Sequence, residues 1–196
     1  MPRDLPDWGA LSAQATVYEV TDMGEMAVRL GSIVSHDRRG DVIWFDDFES
    51  GLSKWAASVF GAGSVVDLSV EQARHGRFSA RLVAGSDDAK RCWITHRSAF
   101  AVLSRFGIEV SFNLATDIDL LQIYYYLYNG TQLTLAVIQW IDATDTLQYL
   151  DDAGNWVTFA TGVKIIQRDN LFHTGKLVVD AINNQYVRFL LNNVEY

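Results

Sequence analysis

The sequence predicts an all-β protein, an antiparallel β-sandwich or jelly roll that follows an extended N-terminal arm. From about residue 42 onward, short runs rich in Val, Ile, Phe, Trp and Tyr are separated by Gly, Asn and Asp, as in strands joined by tight turns. The two prolines, Pro2 and Pro6, both lie near the start, where a fixed φ and a missing N–H favour an extended chain. A length of 196 residues fits one main domain.

The predicted arm covers residues 1–40 and the predicted sandwich covers residues 41–196. Between Asp22 and Leu30, Met, Ala and Leu recur at helical spacing, so we expect at most one short helix in the arm. The charged, turn-like cluster Asp37–Asp41 marks its end. We expect the arm to dock the chain on a larger assembly. Its candidate docking residues are Pro2, Pro6, Trp8, Arg29, Arg38 and Arg39.

About eleven strands are predicted in the sandwich. Their ranges are Val42–Phe48, Ser64–Leu68, Phe78–Val83, Cys92–Arg97, Gly107–Leu114, Leu120–Tyr128, Gln132–Ile141, Thr146–Leu150, Trp156–Thr161, Leu171–Ala181 and Tyr186–Leu191. The chain ends in a predicted turn and the first residues of a return strand. The C-terminal strand is therefore either very short or incomplete at Tyr196.

One hairpin has a specific turn signal, Asn129-Gly130, because this dipeptide readily adopts the positive φ values of a two-residue turn. Residues equidistant from the turn face one another, so Tyr126 is predicted opposite Leu133. The stripe that contains Tyr124 and Tyr126 then lies beside leucines, and we predict that it is the core face.

The opposite face of that hairpin is the predicted solvent-exposed surface. It carries Tyr125 together with Gln132 and Thr134, which supply an aromatic ring beside polar groups. Trp140 and Trp156 can add to either face, and the sequence leaves that choice open.

Composition disfavours several classes of function. The 24 acidic residues against 16 Lys plus Arg give a net charge of −8, which disfavours nucleic acid as a partner. No apolar run approaches the roughly 18 residues of a membrane-spanning helix, and residues 1–9 lack the pattern of a signal peptide. We therefore expect synthesis in the cytoplasm, without a signal peptide and without membrane insertion.

Two segments carry a resemblance to a known family. Asp46–Trp55 has the sequence DDFESGLSKW, and His75–Leu82, about twenty residues later, has the sequence HGRFSARL. Together they resemble the opening of jelly-roll carbohydrate-binding modules of the concanavalin-like group, over roughly residues 42–85. The resemblance implies a jelly roll that binds a glycan. It also implies a structural calcium ion held by Asp47 or Glu49 and by backbone carbonyls near residues 75 and 76.

The preceding segment resembles a second group of proteins. Asp22–Ile33, with Asp37–Trp44, is similar to the head of structural proteins from tailed phages and prophage-like particles. This resemblance implies that the arm docks on protein subunits of a symmetric oligomeric particle. The jelly roll would then be displayed on the virion surface, as in capsid-decorating or tail-associated proteins.

Enzymatic activity is not expected. Retaining glycanases of concanavalin-like fold carry E-x-D-x-x-E, in which two carboxylates about 5 Å apart flank the scissile bond. The nearest run here is Asp117–Gln122, and the Gln122 amide cannot protonate a leaving oxygen. The four histidines are scattered without a zinc motif.

Two functions are left open by the sequence. The first is a non-enzymatic structural protein of a phage-like particle, needing no cofactor. The alternative is a carbohydrate-binding module, with Tyr125, Gln132, Thr134, Trp140 and Trp156 as candidate glycan contacts.

Overall fold

The structure is a computed structural model that describes residues 42–85, 89–98, 103–128, 131 and 133–196. By its contacts the chain divides between Phe45 and Asp46, and the architecture below is that of the second unit. The predicted arm, its short helix and its docking residues Pro2, Pro6, Trp8, Arg29, Arg38 and Arg39 lie outside the described residues. A search of the described residues for a helix long and apolar enough to span a bilayer finds none.

The predicted all-β antiparallel sandwich is confirmed. The described part of the chain contains twelve strands and a single 3-10 turn at Asp142–Thr144. The strands are β1 (Ala56–Phe60), β2 (Val65–Ser69), β3 (Ser79–Val83), β4 (Arg91–Thr95), β5 (Arg105–Asn113), β6 (Leu120–Tyr128), β7 (Leu133–Ile141), β8 (Thr146–Leu150), β9 (Trp156–Thr161), β10 (Phe172–Asp180), β11 (Gln185–Leu191) and β12 (Val194–Glu195).

Two four-stranded antiparallel sheets form the body of the sandwich. The front sheet has the order β6-β7-β8-β9, so each strand pairs with its neighbour in sequence. The back sheet has the order β12-β11-β10-β5. Two further antiparallel pairs, β1-β4 and β2-β3, lie earlier in the chain.

The core lies between the front and back sheets. Alternate residues of β7 and β8, among them Ile138 and Leu147, pack against Leu177 and Phe189 of the back sheet. Rings also meet across the two sheets, and the Tyr149 and Tyr186 centroids are 5.2 Å apart. Each large apolar side chain that is fully buried contributes roughly 1.5–3 kcal/mol, so this interface is the main source of stability.

The turn between β10 and β11 is held by one carboxylate. Asp180 Oδ1 accepts the backbone N–H groups of Ile182 and Asn183 at 3.0 and 3.1 Å, and Oδ2 accepts from Arg105 at 3.1 Å. These donors, led by the Asn183 N–H, lower the pKa of Asp180 to about 2. Because the folded-state pKa is depressed, this stabilisation is complete above the ordinary carboxyl range and is lost as the pH falls toward 2.

The Tyr186 hydroxyl joins the back sheet to the front sheet. It accepts the backbone N–H of Val137 at 2.9 Å and donates to the Leu150 carbonyl at 2.9 Å. The β7-β8 ladder ends at Ile138 and Tyr149, so the phenol bonds to both strands at the next step, where they separate. Burial raises the pKa of Tyr186, in keeping with a neutral hydroxyl used as both donor and acceptor.

The strand predictions differ in accuracy along the chain. The ranges predicted for β6, β8 and β9 match residue for residue. The predicted strand Val42–Phe48 is wrong, because residues 42–47 have no regular structure and Phe48 begins a turn with a φ of 64°. Strand β1 was not predicted, since its Ala-Ala-Ser start lacks the branched and aromatic residues that indicate a strand.

Tyr186→Phe should lower the free energy of unfolding by about 1–3 kcal/mol, because Val137 N–H and the Leu150 carbonyl lose a buried partner. Urea denaturation followed by tryptophan fluorescence measures this. Tyr196→Phe is the control, since the Tyr196 hydroxyl has no hydrogen-bond partner in the described part of the chain. Equal stability of the two variants would contradict a structural role for the Tyr186 hydroxyl.

Candidate functional site

The candidate site is the outward side of the front sheet, called here the open face. Alternation and register place sixteen residues on it. They are Leu120, Gln122, Tyr124, Tyr126 and Tyr128 on β6, Leu133, Leu135, Val137, Gln139 and Ile141 on β7, Thr146, Gln148 and Leu150 on β8, and Trp156, Thr158 and Thr161 on β9. None of these four strands contains a charged residue on either face.

A row of amide side chains crosses the open face. Gln122 Nε2 donates to Gln139 Oε1 at 2.9 Å, and Gln139 Nε2 donates to Gln148 Oε1 at 2.7 Å. Gln148 Nε2 then donates to Thr158 Oγ1 at 3.0 Å. This glutamine row satisfies Gln139, which is only 5% exposed, while each amide keeps a further donor and acceptor position.

Aromatic side chains border the glutamine row on its β6 side. The Tyr124 and Tyr126 rings are parallel within 3° and their centroids are 6.0 Å apart. The Tyr124 hydroxyl donates to Gln122 Oε1, which joins the tyrosines to the row. Tyr126 is 55% exposed, and Tyr128 is also exposed. This side of the open face therefore presents both ring surface and hydroxyl groups.

The β9 edge of the open face carries another exposed ring. Trp156 is 40% exposed and pairs with Leu150 of β8. At the β6 edge of the same face, Tyr124 pairs with Val137 of β7. Val137 and Leu150 are the residues bound by the Tyr186 hydroxyl from beneath. Rings thus stand at both edges of an apolar row that lies beside the glutamine row.

This combination of groups suits a neutral ligand that carries many hydroxyl groups. Amides and tyrosine hydroxyls donate and accept hydrogen bonds, and the neighbouring rings offer apolar surface. The four strands provide no carboxylate, imidazole or thiol that could act as an acid, base or nucleophile. Gln122 occupies the position of the general acid in the glycanase motif, and in the structure it belongs to the glutamine row.

The predicted register of the β6-β7 hairpin is wrong by two residues. Tyr126 pairs with Leu135 and not with Leu133, while the turn residues Asn129 and Gly130 lie outside the described residues. An even shift keeps every side chain on its predicted face, so the grouping into two faces is right. The choice of the core face is wrong, because the Tyr124 stripe is exposed and the Tyr125 stripe faces the back sheet.

Two of the predicted glycan contacts belong to the core. Tyr125 packs against the core cluster with its ring 5.8 Å from Phe106, and burial raises its pKa. Trp140 is 2% exposed, and its indole N–H donates to the Val163 carbonyl at 2.7 Å. Neither side chain is accessible to a ligand on the open face.

The other predicted contacts have separate locations. Thr134 lies on the core side at the end of the sheet, where its hydroxyl donates to Asn184 Oδ1 at 2.9 Å. Gln132 lies outside the described residues. Trp156 is the predicted contact that the structure places on the open face.

Sequence reasoning missed the glutamine row, although a signal was present. Continuing the alternation from Tyr126 and Tyr124 reaches Gln122, and the partner strands place Gln139 and Gln148 on the same side. A stripe with three amides requires hydrogen-bond partners or water, which argues against a core face.

Two acidic residues of the carbohydrate-module motif accept hydrogen bonds that hold neighbouring segments of the chain together. The side chain of Asp46 is fully buried and accepts from Trp55 Nε1 at 2.6 Å and Lys54 Nζ at 2.7 Å. Glu49 Oε1 accepts the backbone N–H groups of Arg77 and Phe78 at 2.6 and 2.9 Å, and these donors lower the pKa of Glu49.

Glycine at position 76 makes the Glu49 contact feasible. Gly76 has a φ of 72°, and a Cβ there would collide with the Glu49 carboxylate. Glu49 therefore approaches the residue 75–78 turn, as the resemblance implies, but it binds amide hydrogens there. Asp47 Oδ1 accepts the Glu49 N–H at 3.1 Å.

The donor set around Asp47 and Glu49 does not fit a calcium ion. Calcium takes six to eight oxygen ligands, whereas Glu49 Oε1 and Asp47 Oδ1 are occupied by backbone donors. No group of three or more His, Cys, Asp or Glu side chains in the described ranges could hold a metal ion.

Comparison of the chain with protein-family models, with curated proteins and with solved structures finds no match. The site is therefore interpreted from its own geometry.

Tyr125→Ala and Tyr126→Ala form a matched pair that tests the two faces of β6. Tyr125→Ala should lower the free energy of unfolding by roughly 3 kcal/mol, because it removes a ring from the core. Tyr126→Ala should change it by less than about 0.5 kcal/mol, as expected for an exposed position. Urea denaturation of both variants measures the difference, and a larger loss for Tyr126→Ala would reverse the assignment of the faces.

Proposed function

We propose that this chain is a non-catalytic glycan-binding module and that the open face is its binding surface. The observation that carries the proposal is the glutamine row together with the exposed rings of β6 and β9, which stand at the two edges of the neighbouring row of the open face. Hydroxyl groups of a sugar match the spare donors and acceptors of the half-buried Gln122 and Gln148 amides, and the C–H face of a sugar ring matches Tyr126 and Trp156.

The construction of the open face supports a binding role. Gln122, Gln139 and Gln148 are held by one another, so a ligand does not need to immobilise them on binding, which reduces the entropic cost of association. The hydroxyl of Tyr124 is held in the same network. Preorganised polar groups beside rings are the usual composition of sites that recognise small polar molecules.

The lack of charged residues on β6 to β9 supports binding without hydrolysis. Cleavage of a glycosidic bond requires a proton donor and usually a second carboxylate on the opposite side of the bond. The side chains of the open face are amides, hydroxyls, rings and aliphatic groups, with no carboxylate among them on β6 to β9.

Tyr126→Ala and Trp156→Ala should each weaken glycan binding about two- to twelvefold, because each removes one stacking surface worth roughly 0.5–1.5 kcal/mol. A glycan array identifies the ligand, and titration calorimetry with the best-bound glycan gives the affinity. Ile182→Ala is the control, since Ile182 is an exposed apolar residue outside the open face. Equal binding by all three variants and the unchanged chain would place the glycan elsewhere.

A second candidate function is the structural role in a phage-like particle. The division of the chain between Phe45 and Asp46, near the predicted boundary at residue 40, favours it. The first unit would dock on the particle, and the sandwich would be displayed outward. The two functions are compatible, because a displayed module can bind glycans of a host surface.

Deletion of residues 1–40 should leave a folded sandwich that no longer joins its assembly. Size-exclusion chromatography and electron microscopy of the full chain and the shortened chain measure assembly, and circular dichroism checks folding. A monomeric full chain would contradict the structural role and leave glycan binding untouched. Unfolding of the shortened chain would contradict a separate docking unit.

A further inference from the structure

His173, the second residue of β10, is 6% exposed and uses both nitrogens of its imidazole ring within the fold. Nε2 lies 2.9 Å from the Ile166 carbonyl oxygen, and Nδ1 lies 3.1 Å from Asn192 Nδ2. A carbonyl oxygen only accepts hydrogen bonds, so Nε2 carries the hydrogen and Nδ1 is the acceptor for the Asn192 amide N–H. The two contacts therefore fit the neutral ring alone.

Asn192, in the turn between β11 and β12, cannot turn its amide over to suit a protonated ring. Its Oδ1 accepts the backbone N–H of Thr174 at 3.0 Å, and its own backbone N–H donates to the Thr174 carbonyl at 2.8 Å. Turning the amide over would set the Nδ2 hydrogens against the Thr174 N–H. A proton on Nδ1 of His173 therefore breaks one hydrogen bond in either orientation of the amide, and it leaves a buried donor without a partner.

Three parts of the chain meet at this ring: β10, the β11-β12 turn, and the connecting segment 162–171, which joins β9 to β10 without strand or helix. Val163 and Ile165 of the connecting segment belong to the core, and the Val163 carbonyl accepts the Trp140 indole N–H at 2.7 Å. The Phe112 ring of β5 lies 5.8 Å from the imidazole. Loss of the His173 contacts would therefore loosen one end of the core.

No charged side chain among the described residues contacts the imidazole. On the connecting segment, Lys164 pairs with Asp145 at 3.9 Å and Asp169 accepts from Gln72 at 2.8 Å, while Arg168 does not reach the ring. Strands β6 to β9 carry no charge. The described chain thus places no carboxylate where it would stabilise an imidazolium ion. By their register with β10, the charged residues of the back sheet lie on its other side, and they are Arg105, Glu109, Lys176, Asp180, Arg188 and Glu195.

We propose that His173 is a pH-sensitive latch, which in its neutral form holds the connecting segment and the β11-β12 turn on β10 and which releases them when mild acid protonates the ring. An imidazole in an unfolded chain takes up its proton near about pH 6.5. Because the folded chain loses a hydrogen bond on protonation, protons favour the unfolded chain. The stabilisation is therefore complete above that pH range and is lost as the pH falls through it.

Urea denaturation of the full chain at about pH 8 and about pH 5 tests the latch, with tryptophan fluorescence as the readout. Between these values the folding equilibrium constant of the unchanged chain should fall about ten- to thirtyfold more than that of His173→Gln. The Gln side chain can donate to the Ile166 carbonyl but cannot take up a proton. His75→Gln is the matched control, because His75 is exposed, and it should behave like the unchanged chain.

Asn192→Asp should reverse the pH dependence at this site. One carboxylate oxygen can accept the Thr174 N–H, and the other can accept from a protonated Nδ1 of His173. The folding equilibrium constant of this variant should therefore rise in acid relative to that of the unchanged chain. A fall equal to that of the unchanged chain would contradict the contact between the two side chains.

Hydrogen exchange measured by NMR on the unchanged chain locates the opening. Between the two pH values, protection of the Thr174 and Asn192 backbone amides should fall more than that of Leu177 in the middle of β10, because the opening is local. Parallel pH profiles for the unchanged chain and His173→Gln, or an equal change at all three amides, would overturn the latch. If His173→Gln does not fold, the exchange measurement decides by itself.

Discussion

Strand β7 is buried on both of its sides from Ala136 to Trp140, and this constraint organises the sandwich and the open face together. One side must supply apolar residues to the core, and Ile138 does so. The other side contains Gln139, whose amide would cost about 1–3 kcal/mol if it were buried without partners. Gln122 and Gln148 supply those partners on either side. The glutamine row is thus a requirement of the buried strand as well as a feature of the surface.

The two sheets depend on each other at the same strand. Tyr186 reaches through the core to the backbone of Val137 and Leu150, so the back sheet positions the part of the front sheet that lies between Tyr124 and Trp156. Ligand-contacting side chains placed on regular strands are held more firmly than those on loops. The motif residues Asp46 and Glu49 act elsewhere in the fold, where they fix turns by accepting hydrogen bonds.

Strand positions could be predicted from sequence wherever branched and aromatic residues alternate, as in β6, β8 and β9. The register of β6 and β7 could not be predicted. A two-residue turn at Asn129-Gly130 would pair Tyr128 with Thr131, whereas Tyr128 pairs with Leu133. The core face was misassigned because tyrosines suit both a core and a wet surface. Only the amides along the same stripe distinguish the two cases.

The hydrogen bonds of the glutamine row all run in one direction. The Tyr124 hydroxyl donates to Gln122 on the same strand, and each of the three glutamines then accepts through its carbonyl oxygen and donates through its N–H to the next group toward β9, ending at Thr158. Turning one amide over would set two donors or two acceptors against each other, so the row reverses only as a whole. The open face therefore has a polarity, with carbonyl oxygens directed toward one edge of the sheet and amide hydrogens toward the other. A linear chain lying along the row meets a different order of donors and acceptors in each orientation, so this surface can distinguish the two ends of such a chain.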